Sequence, residues 1–270
     1  MCPPPCHTHQ GTFIMRIRPR PHGAMRSVSM ALLWVFGFFA AACTSNAVDS
    51  EDQDRVEVQT AHEVVKQMGP GFNLGNTFDN GYNPVDFNEI APIIVAYKNA
   101  GMTHVRIPVT WMEGFGGDAL ADQYGKVNFT HPRFQELKKT IDFALSRDLY
   151  VVINAHHERE FKEHYDNSAP YNDKFATLWK DIAEYFIEYD QRLVFELLNE
   201  PEGAFGQWGG SVSPVEPQAI AYTRNIMHLG TRVVRETGGN NVHRIVMIAT
   251  NAYGNHNQIF PIYPDRAALP

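Results

Sequence analysis

Two hydrophobic periods alternate along the chain from residue 61 to residue 270. Apolar residues spaced three and four apart predict helices over 85–99, 132–147, 173–189 and 217–237. Short apolar runs between these segments predict strands buried on both faces, over 71–75, 103–109, 149–153, 193–198 and 244–250. Strands that alternate with helices in this way indicate parallel β/α units, and we therefore predict the fold class α/β.

The spacing of the units favours a (β/α)8 TIM barrel. Val151 and Val194 begin neighbouring strands 43 residues apart, and a barrel of eight such units takes ~250 residues. About five of the eight units are visible, so we expect an incomplete barrel. A doubly wound sheet is the structural alternative. No Gly-x-Gly-x-x-Gly sequence follows any strand, so nothing supports a dinucleotide cofactor.

The first 60 residues divide into three segments by composition. Residues 1–24 fit neither a signal nor a fold, and we interpret them as a spurious N-terminal extension. Residues 25–43 carry Arg26 and then an uncharged apolar stretch that ends in alanines, which is the pattern of a secretory signal peptide. Cys43 follows these alanines in a way similar to a bacterial lipobox. We therefore expect either plain secretion or an outer-surface lipoprotein with a lipid anchor at Cys43. Residues 44–60 predict an acidic linker.

Charge and hydrophobicity argue against two classes of protein, nucleic-acid-binding proteins and integral membrane proteins. The chain has 23 Lys and Arg against 30 Asp and Glu, a net charge of -7, and the four arginines within residues 1–43 leave the remainder more acidic still. Nucleic-acid binding needs clustered basic residues, so we expect no nucleic-acid partner. No apolar run reaches the ~18–20 residues that span a bilayer. All three cysteines precede residue 44, which excludes disulfides and cysteine-bound metal in the body.

Polar side chains lie in or directly after every predicted strand, near the carboxyl ends where barrel enzymes place their active sites. In chain order they are Asn73 and Asn76, then Arg106, then Asn154 with His156 and His157, then Asn199 with Glu200, and finally Asn251 with Tyr253. A single polar residue after a strand is usually a cap. Five groups that converge on one rim indicate a functional site.

Glu200 is the strongest catalytic candidate. It follows an apolar strand and precedes Pro201, which cannot extend a sheet. A carboxyl group at such a rim is partly desolvated and can hold a proton near neutral pH, as a general acid must; an ordinary surface glutamate is the alternative. Arg106 lies in an otherwise apolar strand and needs a carboxylate or several hydrogen-bond acceptors as partners. It either orients a carboxylate of the site or pairs structurally with Glu196.

Aromatic residues in the rim loops could stack on the apolar faces of sugar rings, although each could equally serve packing. They are Trp111, Trp208 and Tyr253. The run from His156 to Glu158, with His164 as a further ligand, suggests a metal, but adjacent histidines lack the helical spacing of His-Glu-x-x-His. We therefore predict no metal and no cofactor.

Four segments carry a family resemblance: 71–76 (GFNLGN), 104–108 (HVRIP) with Trp111, 151–157 (VVINAHH) and 195–201 (FELLNEP). At these residues the chain resembles glycoside hydrolase family 5, the cellulase family of (β/α)8 retaining endoglycanases. The resemblance runs from about residue 68 to residue 254. It implies that residues 61–270 are part of a family 5 catalytic domain, which acts on β-1,4-linked polysaccharide or oligosaccharide.

The resemblance also assigns roles to the rim residues. Glu200 would be the general acid/base, which protonates the glycosidic oxygen and then activates water. The supporting residues would be Arg106, His156 and Asn199, and Asn76 and His157 would line the cleft and bind substrate.

The mechanism of this family also needs a second carboxylate, the nucleophile, which the resemblance puts on strand seven. Three further units of roughly 43 residues would place it near position 330. We therefore expect the nucleophile to lie beyond residue 270, and we expect this chain, as a truncated form, to be inactive alone. A non-catalytic glycan-binding protein is the alternative. A β-mannanase or xyloglucanase of the same family would differ only in its loops. We expect a monomer.

Overall fold

The predicted strands form one parallel sheet whose order follows the chain. A computed structural model describes residues 58–81, 84–114, 116–207 and 217–270. The strands are β1 (Gly71–Asn73), β2 (His104–Ile107), β3 (Tyr150–Asn154), β4 (Leu193–Glu196) and β5 (Val246–Met247). The order β1-β2-β3-β4-β5 has no reversal, whereas a doubly wound sheet reverses its order at a switch point. The strand order therefore favours the predicted barrel units.

Helices connect the strands, as parallel pairing requires, and one further helix precedes β1. They are α1 (Ala61–Met68), α2 (Phe87–Asn99), α3 (Pro132–Ser146), α4 (Arg159–His164), α5 (Ala169–Tyr185) and α6 (Pro217–Glu236). α5 begins earlier than predicted because Pro170 lies in its first turn, where proline favours a helix start. The hydrophobic pattern does not predict α1 or α4, which have only eight and six residues.

Successive residues of a strand face opposite sides of the sheet, and here the two sides have different partners. One side packs on the helices and belongs to the main hydrophobic core. On the other side, Val152 and Val194 pack against α1. The end of α1 is fixed at the start of β2, since His104 Nδ1 lies 3.0 Å from the carbonyl oxygen of Met68. α1 therefore lies at the amino ends of the strands, opposite the polar rim.

β5 is shorter than the predicted strand over 244–250. It pairs with β4 alone among the described residues, so no second neighbour extends it. Its start is held by Arg244, which is fully buried. The Arg244 guanidinium donates to the carbonyls of Phe186, Tyr189, Asp190 and Leu193 and to the side chain of Asn241. Arg244 therefore fastens the start of β5 to the start of β4.

Short helical segments complete the described chain. They are Gly203–Phe205, Gly239–Val242, Asn251–Gly254, His256–Gln258, Ile259–Ile262 and Arg266–Ala268. None of the described helices is long and apolar enough to cross a membrane. The predicted extension 1–24, the signal peptide 25–43 with its Cys43 anchor, and all but the end of the 44–60 linker lie outside the described residues. They stay predictions.

Candidate active site

Arg106 is the centre of a hydrogen-bond network at the carboxyl ends of the strands. Its Nε and Nη2 atoms donate to the two carboxylate oxygens of Glu196 at 2.6 and 2.7 Å. Nη2 also donates to Asn199 Oδ1 at 2.7 Å, and Nη1 donates to Asn73 Oδ1 at 2.9 Å. The structural pairing with Glu196 is confirmed, and the same guanidinium orients Asn199. Because Asn199 Oδ1 accepts from Arg106, its Nδ2 group is the end that can donate to a ligand.

His156 and His157 lie beside a buried carboxylate that the sequence motifs do not include. The Nε2 atoms of both rings are 3.9 Å from Asp79 Oδ2, and the ring centroids are 4.7 Å apart. Burial, followed by the charge of Arg106, lowers the pKa of His156 to about 4. Burial also lowers the pKa of His157, and Asp79 opposes that shift. Both imidazoles are therefore neutral at pH 7.

Glu200 lies at the rim, but it is exposed and not partly buried as predicted. Its backbone φ is 42°, in the left-handed region, directly before Pro201. Since the residue is exposed, the predicted partial burial of Glu200 is wrong. A non-glycine residue in this region is strained, and surrounding contacts must hold it there.

Lys162 of α4 supplies such contacts, although no sequence motif points to it. Its side chain is almost completely buried, and its ammonium donates to the carbonyls of Asn199 and His156 at 3.2 and 3.3 Å. The carbonyl of Glu200 lies 3.4 Å away, and Glu202 Oε1 lies 3.3 Å away. Burial lowers the pKa of Lys162, and Glu202 opposes the shift. One charged side chain therefore ties the end of β3 to the end of β4.

A cavity of about 580 Å³ opens beside Glu200. His157, Asn199 and Tyr253 are among the residues that line it, so four predicted rim residues share one space. The half-buried Tyr253 is held there by its backbone N–H, which donates to the carbonyl of Pro201 at 3.0 Å. A larger cavity, of about 1050 Å³, lies between the starts of α2 and α3. We place the site in the smaller cavity because four of the predicted rim residues line it, whereas Arg106 and His156 are not among its lining residues.

The other predicted substrate-binding residues have different outcomes. Trp111 is fully buried, and its Nε1 donates to the carbonyl of Asn154 at 2.8 Å. The predicted sugar contact of Trp111 is therefore wrong, and the packing alternative is confirmed. Asn76 is exposed in the loop after β1, with a φ of 57°. Trp208 lies outside the described residues, and its role stays a prediction.

One group in the described part of the chain approaches the arrangement of a metal site. It comprises Asp79, His156 and His157, whose ligand atoms lie within 4.8 Å of one another. Ligands of a tetrahedral zinc ion are roughly 3.3 Å apart, so these groups would have to move closer. His164, considered above as a ligand, instead forms an exposed pair with Glu160 at 3.3 Å.

Comparison with known proteins agrees with the strand-end motifs. The model of the cellulase family, glycosyl hydrolase family 5, matches residues 65–268. The chain belongs to glycosyl hydrolase family 5. The predicted family is thus confirmed, and the five parallel strands are part of a (β/α)8 barrel.

Relatives of this family 5 chain include proteins named endoglucanases. Endoglucanase A of Clostridium longisporum is 36% identical over 213 residues, which cover 72% of this chain and 39% of that protein. The solved broad-specificity endoglucanase of subfamily 4 from the same organism has a TM-score of 0.59 at 31% identity, with 72% of this chain and 57% of that chain covered. A tri-modular subfamily 4 endo-β-1,4-glucanase of Bacillus licheniformis, solved with cellotetraose, has a TM-score of 0.61 at 28% identity, with 76% and 37% covered. The chain spans between 39% and 55% of the length of the first three curated relatives.

Glu158 is not available for the chemistry of this family 5 site. It is fully buried, and its carboxyl oxygens accept from the backbone N–H groups of Trp111 and Met112 at 2.7 and 2.9 Å. Burial raises the pKa of Glu158 to about 7, although the two hydrogen bonds favour the charged form. Glu158 therefore anchors the loop after β2.

Proposed function

We propose that this site cleaves β-1,4-linked glucans by the retaining mechanism, with Glu200 as the general acid/base. The observation that carries the proposal is the position of Glu200, which is exposed on the cavity directly after Asn199, whose amide is held by Arg106. A general acid must reach the glycosidic oxygen from an open cleft. The endoglucanase relatives, one of them solved with cellotetraose, support a glucan as the substrate.

The proposed roles follow from the contacts at the strand ends. As the nucleophile bonds to the anomeric carbon and the bond from that carbon to the glycosidic oxygen breaks, Glu200 gives its proton to that oxygen. Water then displaces the nucleophile from the anomeric carbon and gives a proton to Glu200. Asn199 donates through Nδ2 to the 2-hydroxyl of the sugar at the cleavage point, since its Oδ1 accepts from Arg106. His156 and His157 contact the same chain of sugars from the end of β3.

A retaining enzyme also needs a nucleophilic carboxylate ~5–5.5 Å from the acid/base. Glu196 is engaged in the ion pair with Arg106, and Glu158 is fully buried. Neither can attack an anomeric carbon. Because the family resemblance puts the nucleophile on a seventh strand, we place it outside the described residues, and we expect the 270-residue polypeptide to bind glycan without turning it over. We also propose export of the protein, on the signal pattern of residues 25–43.

Two measurements on the purified polypeptide test these proposals. Incubation with carboxymethylcellulose is expected to release no reducing sugar above a heat-inactivated blank. Titration with cellotetraose, followed by ¹H–¹⁵N NMR, is expected to shift the amides of Asn199, Glu200 and His156 while those of α5 and α6 stay fixed. Turnover at the rate of an intact endoglucanase would refute the inference that this polypeptide lacks the nucleophile. Unchanged spectra would refute glycan binding at this rim.

A further inference from the structure

The side-chain amide of Asn154, at the end of β3, has only one permitted orientation. Asn154 is fully buried, and its Oδ1 accepts from the backbone N–H of Val109 at 3.1 Å. Its Nδ2 lies 3.4 Å from Glu196 Oε1 and 3.2 Å from His156 Nδ1. A backbone N–H can only donate, so the atom that faces it must be oxygen. The carboxylate of Glu196 accepts from Arg106, so the atom that faces it must be nitrogen.

This orientation determines where His156 carries its proton. A donating N–H2 group faces His156 Nδ1, so that nitrogen must offer a lone pair. The pKa of His156, lowered to about 4 by burial and by Arg106, makes the ring neutral at physiological pH. A neutral imidazole has one N–H, which must then be on Nε2. The Nε2–H points to the side of the ring where Asp79 and His157 lie.

We propose that Asn154 is a positioning residue that locks His156 in the Nε2–H tautomer, so that the site presents a fixed donor to a sugar hydroxyl beside Asp79. The distance of 3.9 Å from His156 Nε2 to Asp79 Oδ2 is too long for a direct hydrogen bond. A hydroxyl between them accepts from Nε2–H and donates to the carboxylate, because a hydroxyl group is both acceptor and donor. The choice of a sugar as ligand rests on the glycan-binding function proposed above, whereas the tautomer does not.

The same tautomer disfavours a metal ion between Asp79, His156 and His157. A metal would need a lone pair on His156 Nε2, where the proton lies. Moving that proton to Nδ1 would set it against the N–H2 group of Asn154, so that two donors would face each other. The amide cannot turn to relieve this contact without losing its bond from Val109.

Long-range ¹H–¹⁵N correlation spectra of the ¹⁵N-labelled full chain measure the tautomer directly. A protonated ring nitrogen and an unprotonated one resonate far apart, so the two tautomers give different patterns. The wild-type protein at pH 7 is expected to show an unprotonated Nδ1 and a protonated Nε2 for His156. The opposite pattern, or an evenly mixed one, overturns the proposal without any variant.

Asn154→Ala removes the donor and is expected to move both nitrogen resonances of His156 towards each other, as the two tautomers mix. Asn73→Ala is the matched control, since it removes another asparagine amide from the Arg106 network without touching His156. It is expected to leave the His156 pattern unchanged. An Asn154→Ala protein that folds and keeps the wild-type pattern overturns the locking role. If that variant does not fold, the wild-type spectrum still decides.

Two ligand titrations separate this inference from the proposed function. Cellotetraose is expected to shift the Nε2–H resonance of wild-type His156 and to bind Asn154→Ala more weakly, by several-fold. Zn²⁺ is expected to bind Asn154→Ala more tightly than the wild type, because the freed ring can offer Nε2. If His156 shows the Nε2–H tautomer but cellotetraose does not shift its Nε2–H resonance, glycan binding at this site is refuted and the tautomer assignment remains valid. Equal Zn²⁺ affinities of the two proteins would refute the lock.

Discussion

Replacement of Arg106 tests whether the network at the strand ends stabilises the sheet as well as the site. The pair with Glu196 has hydrogen bonds of 2.6 and 2.7 Å, and the two side chains are 24% and 12% exposed. Removal of one partner from a buried pair costs ~3–5 kcal/mol, because the other charge is left uncompensated. Arg106 is a quarter exposed and solvent screens part of the loss. We therefore expect Arg106→Met to lower the free energy of unfolding by about 3 kcal/mol.

Urea unfolding followed by tryptophan fluorescence measures this loss, which corresponds to a fall in Tm of about 6–12 °C for a domain of this size. Glu196→Gln should lose less, about 1–2 kcal/mol, since its amide oxygen still accepts one N–H of Arg106. Lys138→Met is the matched control. The ion pair of Lys138 with Asp142 is also 2.6 Å long, but its side chains are more exposed, at 35% and 43%, and its loss should cost about 0.5 kcal/mol.

A loss for Arg106→Met no larger than that of the Lys138→Met control would show that burial does not strengthen the pair. The double variant Arg106→Met with Glu196→Leu provides a second check. If the cost comes from a stranded carboxylate, the double variant recovers at least half of it, because no buried charge remains. If the loss of unfolding free energy in the double variant equals the sum of the losses in Arg106→Met and Glu196→Leu, the two side chains act independently instead.

Two further predictions concern the buried charges around the histidines. As the pH falls from 6.5 to 4.5, the folded protein is stabilised at Glu158, because the pKa of this group is raised to about 7 in the folded state and it binds its proton there more tightly than in the unfolded chain. Over the same range the protein is destabilised at His156, because the pKa of this ring is lowered to about 4 in the folded state and only the unfolded chain binds the proton. The two effects nearly cancel, so over this range Glu158→Gln should lose about 2 kcal/mol more unfolding free energy in urea than the wild type, and equal slopes would contradict this. Lys162→Met leaves the carbonyls of Asn199 and His156 without their donor and should cost ~2–4 kcal/mol, with partial recovery in Lys162→Arg; a loss below that of a surface substitution would exclude a structural role for this lysine.

The sheet and the identity of the rim could be predicted because both have local signals. Each strand is a short apolar run between turn residues, and the helices repeat with their own period, so strand order needed no knowledge of distant contacts. Glu200 and Asn199 were found because they directly follow such a run. The six residues of α4 are too few to show a hydrophobic period, whereas α1 does have a local signal, the capping box of Thr60 and Glu63 at its start, which the hydrophobic pattern alone leaves out.

Burial in the rim loops could not be predicted, because residues far apart in the chain decide it. Trp111 is turned into the core by the carbonyl of Asn154 and by Glu158, which are 43 and 47 residues away. Lysine is almost never fully buried unless it is paired, so nothing in the sequence distinguishes Lys162 from a surface lysine. Glu200 is exposed and adopts a left-handed backbone conformation, and the following proline specifies neither.

The side chains that stabilise the rim form hydrogen bonds between neighbouring strands and not within a single strand. The register sets Asn154 of β3 beside Glu196 of β4, and Arg106 reaches the same carboxylate from β2. Glu196 therefore accepts from both the group that orients Asn199 and the group that faces His156. The orientation of the rim amide and the tautomer of the histidine consequently depend on one carboxylate, which is 12% exposed. In the proposed mechanism, Glu200 adds the proton donor to a framework that these inter-strand contacts have already fixed.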